Sequence, residues 1–170
     1  RGNLVTSNNK IYLGSNVLNE NQKDVDGEIV LIDGEKYYKI SNYDNMKPFL
    51  MNIVSPSDLW MFISSNGSLS SGRKNPDQAL FPYYTDDRIH DSNNVTGSKT
   101  IIFVTKDSKT YLWEPFTSKH EGVYNIERNI YKNIYGNKII FEEINHDLSS
   151  TFNYSWNNCE KFGFVRNSSI

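Results

Sequence analysis

Apolar and polar residues alternate through the last third of the chain, between residues 124 and 166. Phe152, Tyr154 and Trp156 share one parity of their run, and polar residues stand between them. Short polar turns such as Tyr135-Gly136-Asn137 separate the runs. A period of two is typical of strands with one buried and one solvated face. The pattern therefore predicts four consecutive antiparallel strands that form a meander.

Two hairpins are predicted upstream of this meander. Short runs rich in Val, Ile and Tyr flank Asp33-Gly34, and Asp-Gly between such runs is a strong turn signal. Runs of Thr, Ile, Phe and Val flank Asp107-Ser108 in the same way. The apolar runs 49–54 and 59–64 predict two further strands, and five of the six residues in the second run are large and apolar.

The predicted fold class is all-β, an antiparallel β-sandwich with little helix. No segment shows a sustained helical period, and strands with one apolar face bury it by packing sheet on sheet. Residues 1–28 are polar and predict an arm or a pair of short edge strands, and residues 29–170 predict the sandwich domain. The chain opens at Arg1 rather than at a methionine, so we expect a piece of a longer protein.

Charge and cysteine content exclude several classes of function. The formal net charge is −2, and no basic stripe is present that could displace counterions from phosphates, so no nucleic-acid partner is expected. The single cysteine, Cys159, rules out an internal disulfide and a multi-cysteine zinc site. No apolar run approaches the about 20 residues that a membrane span needs, so no membrane partner is expected.

Residues 65–92 carry the densest polar and aromatic chemistry in the chain. Carbohydrate sites combine an aromatic platform with planar polar side chains that bond hydroxyl groups. The competing interpretation is that the tyrosines pack a long loop onto the sandwich and that an arginine ties it to an aspartate. The candidate carbohydrate-binding residues are Tyr83, Tyr84, Asp86, Asp87, Arg88 and Arg73.

The same loop offers weaker cases for a metal site and for catalysis. Asp86, Asp87, His90 and Asp91 could ligate a divalent ion, but they lack the spacing of a Ca²⁺ loop, and aspartates in loops commonly cap turns. Adjacent carboxylates in an extended chain point to opposite sides, so they could not flank one glycosidic bond. We therefore predict no cofactor, no metal and no catalytic residue within this chain.

Three segments resemble a known group of proteins: residues 52–67, 79–87 and 161–166. They are similar to the amino-terminal region of large bacterial cellobiose-phosphorylase-like and glycoside-hydrolase-like proteins. The resemblance implies a galactose-mutarotase-like β-supersandwich that is followed by an (α/α)6 barrel with the catalytic carboxylates. It implies that this chain is the front part of that supersandwich, and that the central loop could reach the rim of the substrate cleft in the barrel.

The expected function is therefore a non-catalytic β-sandwich domain of a carbohydrate-active enzyme, which packs against a following catalytic domain and has a carbohydrate as a candidate ligand. The alternative is an independent carbohydrate-binding or adhesin-like module with no attached enzyme. An incomplete supersandwich should expose a sheet edge or an apolar patch and form dimers, whereas an independent module should bury its edges.

Overall fold

The computed structural model describes residues 11–13, 16–19, 23–55, 60–72, 77 and 79–170. The strands in these ranges are β1 (Ile11–Leu13), β2 (Asn16–Leu18), β3 (Asp26–Ile32), β4 (Glu35–Ser41), β5 (Leu50–Ile53), β6 (Trp60–Ser64), β7 (Leu69–Gly72), β8 (Ile102–Lys106), β9 (Lys109–Trp113), β10 (Ile126–Asn133), β11 (Lys138–Asn145), β12 (Ser150–Cys159) and β13 (Gly163–Ser169). All strand pairs are antiparallel within the described part of the chain.

A six-stranded sheet in the order β13-β12-β11-β10-β4-β3 forms one layer. The predicted meander supplies four neighbouring strands of it, β10 to β13, and the first predicted hairpin supplies β4 and β3. Asp33 and Gly34 both have positive φ, at 51° and 81°, and Asp107 and Ser108 do so at 50° and 61°. Both turns therefore adopt the left-handed conformations that two-residue hairpins require.

The second layer consists of the sheet β5-β6-β7 and the hairpin β8-β9. One face of the six-stranded sheet, which we call the inner face, packs against this layer and forms the core. Phe141 and Tyr154 stack in its centre with ring centroids 4.8 Å apart. The prediction of an all-β sandwich is confirmed. The buried apolar residues that the six-stranded sheet and the sheet β5-β6-β7 contribute to this core are Met51, Ile53, Met61, Ile63, Leu69, Ile130, Ile139, Phe141, Phe152, Tyr154 and Trp156.

Residues 86–96 are helical, whereas the sequence predicted a loop through residue 92. They form α1 (Asp86–Ile89), a 3-10 turn (His90–Ser92) and α2 (Asn93–Thr96). Ile89 is 1% exposed and anchors the segment, and the other apolar residue, Val95, is six positions further on, so this short run shows no helical period. Within the described ranges, no helix is long and apolar enough to cross a membrane.

Candidate functional site

The serine-rich strand β7 holds residues 79–84 against the second layer. Ser71 Oγ accepts hydrogen bonds from the backbone N–H groups of Leu80, at 3.1 Å, and Phe81, at 3.2 Å. Ser70 Oγ accepts one from Tyr84 N at 3.1 Å. The sequence predicted a loop at 69–72 because these residues are small and polar. Their hydroxyls instead satisfy backbone donors of a segment that has no sheet partner of its own.

A ring contact and a second hydrogen bond complete this attachment. Phe81 packs edge-on against Trp156, with centroids 6.4 Å apart. Ser64 Oγ lies 2.7 Å from His90 Nδ1, which joins the helical segment to β6. Ser64 is fully buried, so this serine–histidine pair is a structural contact rather than an accessible nucleophile. The competing interpretation was that the tyrosines pack the loop onto the sandwich. The loop does pack there, but the ring that contacts the core is that of Phe81.

The candidate residues on this segment face outward to different degrees. Tyr83 is 48% exposed, Asp87 and Arg88 are exposed, and Tyr84 is half-buried. A hydrogen bond from the Thr85 hydroxyl holds the pKa of the Asp87 carboxyl below its usual value, so this group is anionic at neutral pH.

Two further candidates complete the predicted set. Asp86 is the first residue of α1, so the expectation that the Asp86-Asp87 pair is extended is wrong. Arg73 lies outside the described residues. In the part of the chain that the structure describes, no three His, Cys, Asp or Glu side chains are grouped so that they could hold a metal ion. A carbohydrate-binding role for the six candidates stays a prediction.

A buried carboxylate joins the hairpin β8-β9 to the six-stranded sheet. Glu143 is 2% exposed and accepts hydrogen bonds from Trp113 Nε1 at 2.7 Å, Phe116 N at 2.6 Å and Arg128 Nε at 2.8 Å. Burial alone would lower the pKa of Arg128, but Glu143, Tyr43 and Asp44 together raise that pKa above its ordinary value. Arg128 therefore stays charged. Both oxygens of the Glu143 carboxylate accept hydrogen bonds from the protein, so this group serves the fold rather than a substrate.

The other face of the six-stranded sheet, the outer face, carries a groove of about 650 Å³. We call this cavity the outer groove. Its lining includes residues of both edge strands, such as Val30 on β3 and Asn167 on β13. It therefore crosses the whole width of the sheet, about 24 Å at the usual strand spacing of about 4.8 Å.

The strand register arranges the outer face in rows that run across the sheet. One row has an apolar centre and polar ends, and the neighbouring row is polar throughout. The central row is Asn167, Ser155, Ile140, Tyr131, Lys39 and Glu28; the polar row is Ser169, Asn153, Glu142, Asn129, Ser41 and Asp26.

Glu142 is the hydrogen-bonding centre of the outer groove. Its Oε1 accepts hydrogen bonds from Tyr131 Oη at 2.7 Å and from Asn129 Nδ2 at 2.9 Å. Burial, together with the hydrogen bond to Glu142, raises the pKa of the Tyr131 phenol above its ordinary value. Tyr131 therefore keeps its proton at neutral pH and remains the donor of this hydrogen bond.

A second carboxylate lies at the end of the same face. Glu35 accepts hydrogen bonds from Asn133 Nδ2 and from the Tyr37 hydroxyl, each at 2.8 Å. These two hydrogen bonds, the one from Asn133 first, lower the pKa of Glu35 below its ordinary value of 4.5. The charged form of Glu35 is therefore favoured by folding.

The groove residues were not among the sequence-based candidates. Asn153 was placed on the polar parity of its run, opposite Phe152 and Tyr154, and no face was assigned to Glu142 or Tyr131. Only the register of six strands shows that these parities meet in one concave surface. The sequence did offer one signal. Glu142, Asn153 and Tyr131 bring a carboxylate, an amide and a phenol to positions where an ordinary solvent-facing strand surface carries mostly charged residues.

Comparison of the sequence with models of known protein families and with curated proteins finds no match. The resemblance noted above thus remains an expectation, and the case for a function depends on the geometry of the two faces.

Proposed function

We propose that this chain is a non-catalytic β-sandwich domain of a carbohydrate-active protein, of the glycoside hydrolase or phosphorylase type, and that its main role is to pack against a further domain or further strands of that protein. The observation that carries the proposal is an uncovered apolar strip on the inner face of the sandwich. The resemblance to the amino-terminal supersandwich of such enzymes names the kind of protein.

The strip lies where the six-stranded sheet extends past the smaller second layer. Ile29 pairs with Tyr38, and both side chains are on the inner parity, as is Leu31 two residues further along β3. Ile29 is 64% exposed, Leu31 68% and Tyr38 55%. Ile134, 45% exposed, lies beside Lys36, whose carbonyl accepts its N–H at 3.2 Å. We call these four residues, Ile29, Leu31, Tyr38 and Ile134, the inner strip.

Open strand edges adjoin this surface. Within the described ranges, β3 has β4 as its only ladder partner and β5 has β6. An exposed edge beside exposed apolar side chains is a site where another strand or domain can add. Further strands beside β5 would extend the second layer over the sheet, which is the arrangement that a larger sandwich requires.

The test compares the isolated chain with an Ile29→Lys, Leu31→Lys double variant and with the Val95→Lys control. Val95 is 72% exposed and lies on α2, away from the strip. We expect the wild-type chain and the control to self-associate in analytical ultracentrifugation, and the double variant to be monomeric with unchanged circular dichroism. In the longest natural form of the protein, amide exchange in β3 should be slower than in the isolated chain, because the strip is covered there.

A monomeric wild-type chain whose β3 exchanges equally fast in both forms would contradict the packing role and favour the independent module. Hydrolysis or phosphorolysis of a glycoside by the isolated chain would contradict the non-catalytic assignment. These two readouts do not depend on whether the chain binds a saccharide.

A further inference from the structure

The outer groove has the composition of a saccharide site and lies on the face of the sandwich opposite the inner strip. We propose that it binds a neutral oligosaccharide, with Glu142 as the hydroxyl acceptor, Asn153 as a polar neighbour beside it, and Tyr131 and Ile140 as the apolar floor. The choice of a saccharide rests on the proposed function, whereas the location and polarity of the site rest on the groove alone.

Unused hydrogen-bonding capacity is the first argument. Glu142 uses Oε1 for its two protein hydrogen bonds, and Oε2 receives none from any described residue. Asn153 lies beside Glu142 across the ladder and also lines the groove, although its Oδ1 is itself buried. A carboxylate oxygen left without a protein donor on a concave surface is suited to the hydroxyl group of a ligand.

The apolar floor is the second argument. Ile140 and Tyr131 are opposite each other in the register, both are half-buried, and both line the groove. The small side chain of Ser155 lies on the other side of Ile140, which leaves room for a flat ring close to the sheet. A pyranose needs this combination, because its C–H face packs on apolar or aromatic surface while its hydroxyls require polar partners.

Charge balance favours a neutral ligand over an anion. The charged side chains in the lining are Lys39, Lys138, Asp33 and Glu142, and their charges sum to zero. Glu28 forms an ion pair with Lys39, with Nζ and Oε1 3.0 Å apart, and adds one negative charge beside the groove. A phosphate or uronate site would instead need an excess of cations.

The dimensions favour a chain of sugars over a single one. The volume of about 650 Å³ is within the range of ligand sites. The lining runs from Val30 and Ile32 at one edge of the sheet to Asn167 and Ser169 at the other. A ligand that fills the groove therefore lies across the strands, and its middle unit contacts Glu142 and Tyr131.

The test measures binding of cellotetraose, xylotetraose, mannotetraose and maltotetraose to the 170-residue chain by isothermal titration calorimetry. We expect saturable binding of at least one tetrasaccharide. Glu142→Gln should weaken it by about tenfold or more, since it removes the free acceptor for a ligand hydroxyl, and Asn153→Ala should weaken it because it removes the polar group beside that acceptor. Asn167→Trp fills one end of the groove from an exposed position and should abolish binding without loss of fold.

Glu160→Gln is the matched control for Glu142→Gln, because Glu160 is exposed in the turn that follows β12. It should bind as the wild type does. The proposal is overturned if the folded wild-type chain binds none of the four tetrasaccharides. It is also overturned if the groove variants bind normally while Tyr83→Ala does not, which would place the site on residues 79–92. The inner-strip double variant should retain binding, so failure of the groove and failure of the packing role are distinguished.

Discussion

Removal of the Glu143 carboxylate should be among the most destabilising single changes in the domain. Glu143→Ala leaves the Trp113 indole N–H and the Phe116 backbone N–H without their acceptor, and it leaves the Arg128 guanidinium buried without its nearest carboxylate. Asp44 remains near Arg128, but at 3.6 Å and with a more exposed side chain. Removal of one partner of a buried ion pair lowers the free energy of unfolding by about 3–5 kcal/mol.

The loss of stability can be measured by thermal unfolding and by urea unfolding. For a domain of this size, about 1 kcal/mol corresponds to about 2–4 °C in Tm, so Glu143→Ala should lower Tm by about 6–20 °C. The urea midpoint should fall with little change in the slope of the unfolding free energy against urea concentration, since the change affects stability rather than the surface exposed on unfolding. Glu160→Ala, an exposed carboxylate, is the control and should change Tm by less than about 2 °C.

A double-mutant cycle separates the ion pair from the loss of packing. Arg128→Met and Glu143→Gln should each lower the free energy of unfolding. The double variant should lower it by less than the sum of the two single effects, because each single variant leaves the partner's charge buried without its counterpart. The reasoning is refuted if Glu143→Ala costs less than about 1 kcal/mol, or if the two changes are additive to within about 0.3 kcal/mol.

Three further predictions concern the attachment of residues 79–84, a turn and a carboxylate. Ser71→Ala removes the acceptor of two backbone N–H groups and should cost about 1–2 kcal/mol, with faster amide exchange confined to the attached segment. Gly67→Ala should cost about 1 kcal/mol or more in thermal unfolding, because φ is +91° and a Cβ would lie 3.0 Å from the Tyr154 hydroxyl. The folded pKa of Glu35 is lowered, so its stabilisation is present above its unfolded pKa and lost as pH falls through the folded value; the Tm of the wild type should fall more steeply below about pH 5 than that of Glu35→Gln.

Local signals explain why the strands and hairpins could be predicted. Asp33-Gly34 encodes its turn within two residues, since the left-handed conformations it adopts favour Asp and Gly. At Asp107-Ser108 only Asp107 is such a residue, and the apolar runs on either side supplied the rest of the signal. The parity of Phe152, Tyr154 and Trp156 reports directly which face of β12 is buried. Such features need no knowledge of the partner strand, and they were sufficient for the meander and for the fold class.

Distant partners explain what the sequence did not reveal. The buried serines of β7 appeared to be loop residues because the N–H groups they accept from lie 9 to 14 residues further along the chain. Glu143 alternates with core residues along β11, but a carboxylate is normally found at the surface. The reason for its burial is seen only in the structure, where Trp113 and Arg128, 30 and 15 residues away in the sequence, donate hydrogen bonds to it.

The two faces of the six-stranded sheet therefore support different roles. The inner strip exposes apolar side chains with little polar chemistry, as expected of a surface that another domain or strand covers. The outer groove instead pairs an apolar floor with a Glu142 carboxylate oxygen that no described residue uses, as expected of a ligand site that stays open to solvent. Since β3 contributes Ile29 to the strip and Val30 to the groove, alternate residues of one edge strand serve both surfaces. Under the proposed packing role, a strand added beside β3 would extend the groove at that edge, whereas strands added beside β5 would cover the strip. Saccharide affinity should then be higher in a longer form of the protein that supplies the strand beside β3 than in the isolated chain. Equal affinities in calorimetry would show that the two surfaces act independently.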